Sequence, residues 1–378
     1  MSFPPRSVVA VLALVVVAGA LPSAREAWAA AASVRIDPSV RAAGMGGAST
    51  AVFWSGDVDE WANPALLGYL DGFRYRWTRS EFGSSGAVLG SQRLDYGAGG
   101  IGLGGSTVRL DYGRIKLTDN AGNTVGTFAP FERVRPLGLG VSVSRVLRAV
   151  QRLRGAEPPS ITRHLDVAAG FAQKGVKVAL APDAFQGQAS TTTSDAGLLV
   201  SARPLPRIAE GRLHVDLAYG FAALNYDHAS ISFISEDRAD RIPPQYRNGF
   251  AARMGIPVGM AWAQRLGGWL APALDPYLTV SLAADFLHFG SGSWGGYDVD
   301  QWGLEIDWVH ALVVRAGHVT DRIDQVDGYS YGIGVALPIG RLAGVRYDFA
   351  SYPRTAGTGR WHGHGIGVRV DPVGWSRR

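Results

Sequence analysis

From about residue 72 the chain alternates. Leu213, Val215, Leu217, Tyr219 and Phe221 interleave with His214, Asp216, Ala218, Gly220 and Ala222. Leu278, Val280, Leu282, Ala284 and Phe286 do the same with Tyr277, Thr279, Ser281, Ala283 and Asp285. Trp302, Leu304, Ile306 and Trp308 flank Gly303, Glu305 and Asp307, and Val345, Tyr347 and Phe349 flank Arg346 and Asp348. Successive strand side chains point to opposite faces, so each stretch has one apolar face and one polar or small face. Beyond the first thirty residues no segment approaches the ~18 apolar residues of a membrane helix. If the mature chain crosses a bilayer, it does so as a closed sheet, because lipid offers no partner to an unpaired backbone group.

The N-terminus supplies the reason to expect a membrane. Arg6 is followed by an unbroken apolar and small run from Val8 to Leu21, then by Ala27-Trp28-Ala29. That order is a signal peptide, residues 1–29, with a cleavage site of A-x-A type. The run is too short to span comfortably. There is no Cys, so there is no lipoprotein attachment site and no thiol to oxidise outside the cytoplasm. Hydrophobic residues at 47% coexist with 18% charged residues, a mixture suited to a sheet with two unlike faces. The formal charge of +5 is carried by scattered arginines, which gives no nucleic-acid patch.

A soluble sandwich alternates in the same way. Three features favour a transmembrane antiparallel β-barrel over 72–371. The chain is exported. The stretches are near the ~9–11 residues of a tilted transmembrane strand. Aromatics fall near strand ends, where ring and polar tip suit the membrane–water interface: Tyr75, Trp77, Tyr226, Trp262, Trp269, Trp294, Tyr297, Tyr352 and Trp361. Counting gives about fourteen strands, among them 135–148, 246–264 and 361–371, with polar loops near 113–134, 150–162 and 227–245. Leu304 and Ile306 should face lipid. Asp285, Glu305, Asp307, Arg315, Arg346, Asp348 and Arg369 should line the lumen, where mixed signs largely neutralise one another.

Residues 33–71 break the alternation. Gly44, Gly46 and Gly47 admit backbone shapes closed to other residues. Pro64 fixes φ after Asn63, whose amide can bond nearby backbone. The segment reads as a plug inside the barrel, with these five residues as its hatch or gate. R-x-x-G-M-G-G-A at Arg41 to Ala48, an acidic stretch, then N-P-A at Asn63 to Ala65 resembles the N-terminus of the PorV/PorQ and FadL-type outer-membrane proteins. G-V-R-Y-D-F-A at Gly344 to Ala350 and H-G-H-G-I-G-V-R-V at His362 to Val370 resemble the closing hairpin of the same group. The resemblance implies a fourteen-stranded barrel in the outer membrane of a Gram-negative-type envelope, with the N-terminal segment as a hatch. It implies passive passage of hydrophobic or amphipathic small molecules, or, in the PorV/PorQ manner, a surface scaffold for secreted cargo that transports nothing. Its partners would be outer-membrane lipid, the small molecule or cargo, and the barrel-assembly machinery. One departure is the end of the chain, where Trp375 is followed by Ser376-Arg377-Arg378 in place of a terminal aromatic.

No enzyme, cofactor or metal is called for. G-x-G-x-x-G occurs at Gly97, Gly99 and Gly102 and again at Gly100, Gly102 and Gly105, but in a Gly-rich strand and without the following helix a dinucleotide site needs. Glycines on a curved wall explain it. His214 is better read as a polar lumen residue than as a catalytic base. Asp57, Asp59 and Glu60 could hold calcium through oxygen, yet three acids in a polar loop are more often solvated.

Overall fold

The computed structural model describes residues 31–370, apart from 55–59, 83–85, 119–120, 122, 183–186, 206–211, 234–238, 260–275, 291–297, 340–342 and 354–358. The expected signal peptide, Asp57, Asp59, Trp262, Trp269, Trp294, Tyr297 and the chain end at Trp375 lie outside the described residues.

The alternation builds one closed sheet. In chain order the strands are β1 Gly72–Glu81, β2 Val88–Ala98, β3 Ile101–Asp111, β4 Ile115–Thr118, β5 Thr124–Phe128, β6 Phe131–Ser142, β7 Leu165–Ala179, β8 Gln188–Leu205 and β9 His214–Leu224. They continue with β10 Ser230–Ile231, β11 Asp240–Arg241, β12 Gln245–Pro257, β13 Tyr277–Phe289, β14 Val299–Trp308, β15 Leu312–Asp321, β16 Val326–Ile339, β17 Ala343–Pro353 and β18 Arg360–Val370. Fourteen of them form the barrel, each antiparallel to its neighbours along the chain, and β1 pairs with β18 to close it, Phe73 opposite Val370 and Glu81 opposite His362. The pairs β4–β5 and β10–β11 are separate two-stranded sheets within the stretches expected as loops.

The wall sorts its residues as the period requires. On β14, Trp302, Ile306 and Trp308 are exposed and Leu304 half-buried, whereas Gln301, Gly303, Glu305 and Asp307 are buried. The same apolar exterior recurs at Leu94, Leu103, Leu139, Leu217, Leu282 and Val314, and so runs around the whole barrel. Soluble monomers rarely expose an apolar patch beyond a few hundred Å². A continuous belt of this kind, with every wall strand paired, is what hydrocarbon surroundings require. Leu304→Arg should therefore cost about 2–4 kcal/mol near the bilayer midplane. The check is the fraction of heat-modifiable, membrane-inserted protein, and a fraction equal to the parent's would place this face in water.

Several expectations are corrected. The strand anticipated at 135–148 stops at Ser142 and turns into α1, Val143–Leu153, followed by the short α2, Ile161–His164. Ser142 caps α1, its hydroxyl accepting from Arg145 N at 3.4 Å. The strand anticipated at 246–264 ends at Pro257, where the ring removes a ladder donor. Trp361 and Tyr352 do not sit on the exterior. Their rings meet inside the barrel, tilted by 35° with centroids 5.2 Å apart, and Val40 and Ala43 pack in the same cluster. Tyr75 and Tyr226 are exposed and Trp77 half-buried.

Candidate functional site

The lumen is occupied by the chain's own N-terminal segment. A short helix, Val40–Gly44, begins with Ser39 as its cap, the Ser39 hydroxyl accepting from Ala42 N at 3.2 Å. It ends because Gly46 and Gly47 take φ of 69° and 94°, the left-handed region where a Cβ is penalised. Gly47 N donates to Ala42 O at 2.7 Å and Gly46 N to Ala43 O at 3.2 Å, the paired bonds of a Schellman ending. Further along, Asn63 caps a 3₁₀ turn over Pro64–Tyr69. Its Oδ1 accepts from Ala65 N at 3.0 Å, while its Nδ2 donates to Thr50 O at 3.0 Å and to Leu198 O of the wall at 3.1 Å. Asn63 thus ties the turn, the preceding loop and β8 together.

Buried charge fixes the segment to the wall. Arg41 grips Glu305 of β14 through two bonds of 2.8 Å, and Glu305 also accepts from Arg315 at 2.8 Å. Arg315 continues to Asp348 at 2.8 Å, and Asp348 to Arg346 at 2.8 Å. Four of the anticipated lumen residues, Glu305, Arg315, Asp348 and Arg346, therefore form one network, with Arg41 of the segment as its fifth member. Asp285 stands apart. It accepts from Ser49 N, Thr50 N and the Thr50 hydroxyl at 2.9, 2.9 and 2.7 Å, and from Arg247 at 3.1 Å. Asp307 pairs with His310 near the end of the barrel that carries β1's start and β18's end. Arg369 faces a cavity of about 100 Å³ at that end, shared with Arg74, Arg76 and Arg346. Glu60 pairs with Arg93, which also bonds Asp95 at 2.9 Å; it is a wall tether rather than a solvated acid. His214 is buried edge-on to Tyr277, ring centroids 4.8 Å apart.

The remaining contacts are apolar. Met45, Phe53, Trp54, Leu66, Leu67 and Leu70 form one buried cluster with Ala168, Leu199, Ala218, Ala251 and Ala283 of the wall. The small wall residues make this possible. Gly97, Gly102, Gly140, Gly170 and Gly197 are direct cross-strand partners from β2 to β8. A Cβ on Gly170 would lie 2.2 Å from Pro64 C, and one on Gly102 would lie 2.0 Å from Leu67 O. Across the barrel, Ala283, Gly303 and Gly317 are likewise paired from β13 to β15. A Cβ on Gly317 would lie 2.2 Å from Gly46 N. Segment backbone runs directly against wall backbone at both places. These glycines are the site residues that sequence reasoning missed. The G-x-G-x-x-G spacing is a by-product of that row and of the β2–β3 turn, where Gly99 and Gly100 have φ of 60° and 97°.

The segment starts at the other mouth. Ser33 N donates to Glu132 at 2.7 Å, and Tyr112 donates to the second oxygen of Glu132 at 2.6 Å. Burial, then the carboxylate, pushes the Tyr112 phenol well above its ordinary range. Arg35 reaches Asp324 in the β15–β16 turn at 3.2 Å.

No family model matches the sequence, and no curated protein matches it. Among solved structures, the CymD monoaromatic hydrocarbon channel is 12% identical, with 89% of this chain and 97% of that chain covered and a TM-score of 0.43. A Pseudomonas aeruginosa FadL homologue is 10% identical, with 89% and 98% covered and a TM-score of 0.41. The Pseudomonas putida toluene transporter TodX is 12% identical, with 86% and 95% covered and a TM-score of 0.36. At this level the likeness carries no argument about what this chain does.

Proposed function

We propose that this chain is an outer-membrane barrel that passes a hydrophobic or amphipathic small molecule, with residues 33–71 as the hatch that closes it. The observation that carries the reading is the segment itself. It crosses the lumen, contacts opposite walls and is covalently joined to the barrel only at β1. It can move while the ladder of every wall strand stays intact. An apolar permeant is supported by a lipid-side groove of about 640 Å³, lined by Leu217, Phe250, Leu282, Trp302 and Tyr329, on the patch of wall where Gly303 and Gly317 meet Met45 and Gly46 from inside. Asp285, Glu305 and Arg315 are then the latch, with Gly44, Gly46, Gly47, Asn63 and Pro64 giving the hatch its shape.

A second reading, the non-transporting surface scaffold for secreted proteins, is favoured by the continuous ion-pair chain from Arg41 to Arg346, which ties the N-terminal segment to β14, β15 and β17. Deletion of residues 33–71 separates the two. A hatch predicts a barrel that still inserts but conducts small ions in a planar bilayer, and full-length protein that admits an apolar dye into proteoliposomes. A truncated protein with the full-length trace refutes the hatch, and a secreted protein co-purifying with a dye-impermeable barrel supports the scaffold.

A further inference from the structure

Helix α1 is built inside out for water. Its polar side faces the barrel. Ser144 N donates to Asp166 at 2.9 Å, the Ser144 hydroxyl donates to Leu165 O at 2.7 Å, Arg145 pairs with Asp71, and Arg148 donates to Thr162 O. Its apolar side faces away from the protein. Val143, Leu147, Val150 and Leu153 recur at helical spacing, and all four are exposed, Leu153 at 89% and Val143 at 50%. A helix at a solvated rim shows the reverse arrangement.

The exposed stripe does not stand alone. Leu137 and Leu139, on the lipid-side face of β6, are exposed and lead through Val141 into Val143. Leu165 opens the exterior face of β7 beside it, and Ile161 of α2 is 59% exposed. The patch is therefore continuous with the belt around the wall. Residues 143–165 also hold five arginines against one glutamate, Glu157, and Arg152, Arg154 and Arg163 are exposed. An amphipathic helix with an apolar face and a cationic flank lies in the bilayer interface, apolar side toward the acyl chains and arginines at the headgroups.

We propose that α1 is an interfacial anchor, bedded in the lipid leaflet at the end of the barrel that carries β1's start and β18's end, with Arg152, Arg154 and Arg163 on anionic phospholipid headgroups. This rests on the reading that the barrel spans a membrane. The helix extends the lipid contact sideways from the wall next to β6 and β7. It also holds the exit of the N-terminal segment, since Arg145 bonds both Asp71 and Gly68 O, the latter at 3.5 Å.

The chain lacks Cys, so single-cysteine variants of the full-length protein report one site each. Leu147→Cys, Arg152→Cys and Leu304→Cys would carry an environment-sensitive dye in vesicles of phosphatidylethanolamine with phosphatidylglycerol. The expected result at position 147 is a blue-shifted dye, quenched by nitroxide lipids labelled about 5–10 Å below the headgroup and several-fold less sensitive to aqueous iodide than the dye at 152. Replacing phosphatidylglycerol with phosphatidylcholine, or making Arg152, Arg154 and Arg163 all Gln, should shift the 147 dye toward the aqueous signal. Lipid quenching at 304 with free iodide access at 147 overturns the anchor alone, whereas iodide access at both overturns the membrane reading. Protection at 147 that follows protein concentration and ignores nitroxide lipid means that a second copy covers the face, which also overturns the proposal.

Discussion

Gly170→Val is expected to force the N-terminal segment off the wall while leaving the barrel closed. The new Cβ would meet Pro64 C, Pro64 O and Ala65 N at 2.2, 2.3 and 2.4 Å. These are backbone atoms fixed by the Asn63 cap and by Pro64, so no side-chain rotation relieves the overlap. Overpacking of even flexible side chains costs about 1–3 kcal/mol, and here the strained partner is a rigid turn. Gly175→Val is the matched control. It lies on the same strand, and a Cβ there meets nothing within 4 Å. Valine itself suits a strand. The expected pattern is ion conductance and protease sensitivity of the segment in Gly170→Val, with the heat-modifiable gel shift of a folded barrel kept in both variants. A Gly170→Val protein as closed and as protease-resistant as Gly175→Val would show that the segment does not rest on the glycine row.

Loss of the carboxylate at Glu305 is expected to be more damaging than loss of the guanidinium that it holds. Glu305 accepts from both Arg41 and Arg315, at 2.8 Å each, and it is buried. Glu305→Gln takes the carboxylate from Arg41 and leaves Arg315 and Arg346 sharing Asp348, and removal of one member from a buried ion pair costs about 3–5 kcal/mol. Arg41→Gln leaves Glu305 still satisfied by Arg315. Adding Arg41→Gln to Glu305→Gln removes the guanidinium that the lost carboxylate held and should recover part of the stability, which a double-mutant cycle reads as coupling. The measurement is the temperature at which the compact gel band is lost. Equal losses in the two single variants, with strict additivity in the double, would make the network incidental. Charge reversal at Glu305 is for the same reason no mild change, although its side chain faces the lumen.

The wall was legible because period two is set by the backbone. On β13 and β14 the outward set, from Leu278 to Trp308, and the inward Asp285, Glu305 and Asp307 follow from alternation alone. The turns of the N-terminal segment were legible for a similar local reason, since Gly46, Gly47, Asn63 and Pro64 act through φ and through capping bonds to near neighbours. What lay between those levels was not. Gly170 and Gly197 are partners only once register is known, and a one-residue slip moves every side chain to the other face. Val143 to Leu153 continues the apolar exterior of β6, so its first residues extend the strand pattern, and only the recurrence of Leu147, Val150 and Leu153 betrays the change to helical period. Trp361 and Tyr352 have interfacial chemistry but were drawn inward by Val40 and Ala43, a contact that no local pattern announces.

The route of the N-terminal segment constrains how the molecule can be assembled. Ser33 and Arg35 are held at one mouth by Glu132 and Asp324, while Gly72 leaves from the other. A chain lying through a closed ring must either be threaded or be surrounded as the ring forms. Threading would drag Trp54, Trp61 and the Arg41 charge through a finished lumen. Surrounding them asks only that β1 meet β18 last. The seam between Phe73–Glu81 and His362–Val370 is also the pairing of greatest sequence separation, and so the one with the highest loop-closure entropy. The order of assembly that topology imposes is thus the order that chain entropy favours, with the segment acting as a mandrel around which the sheet is wound.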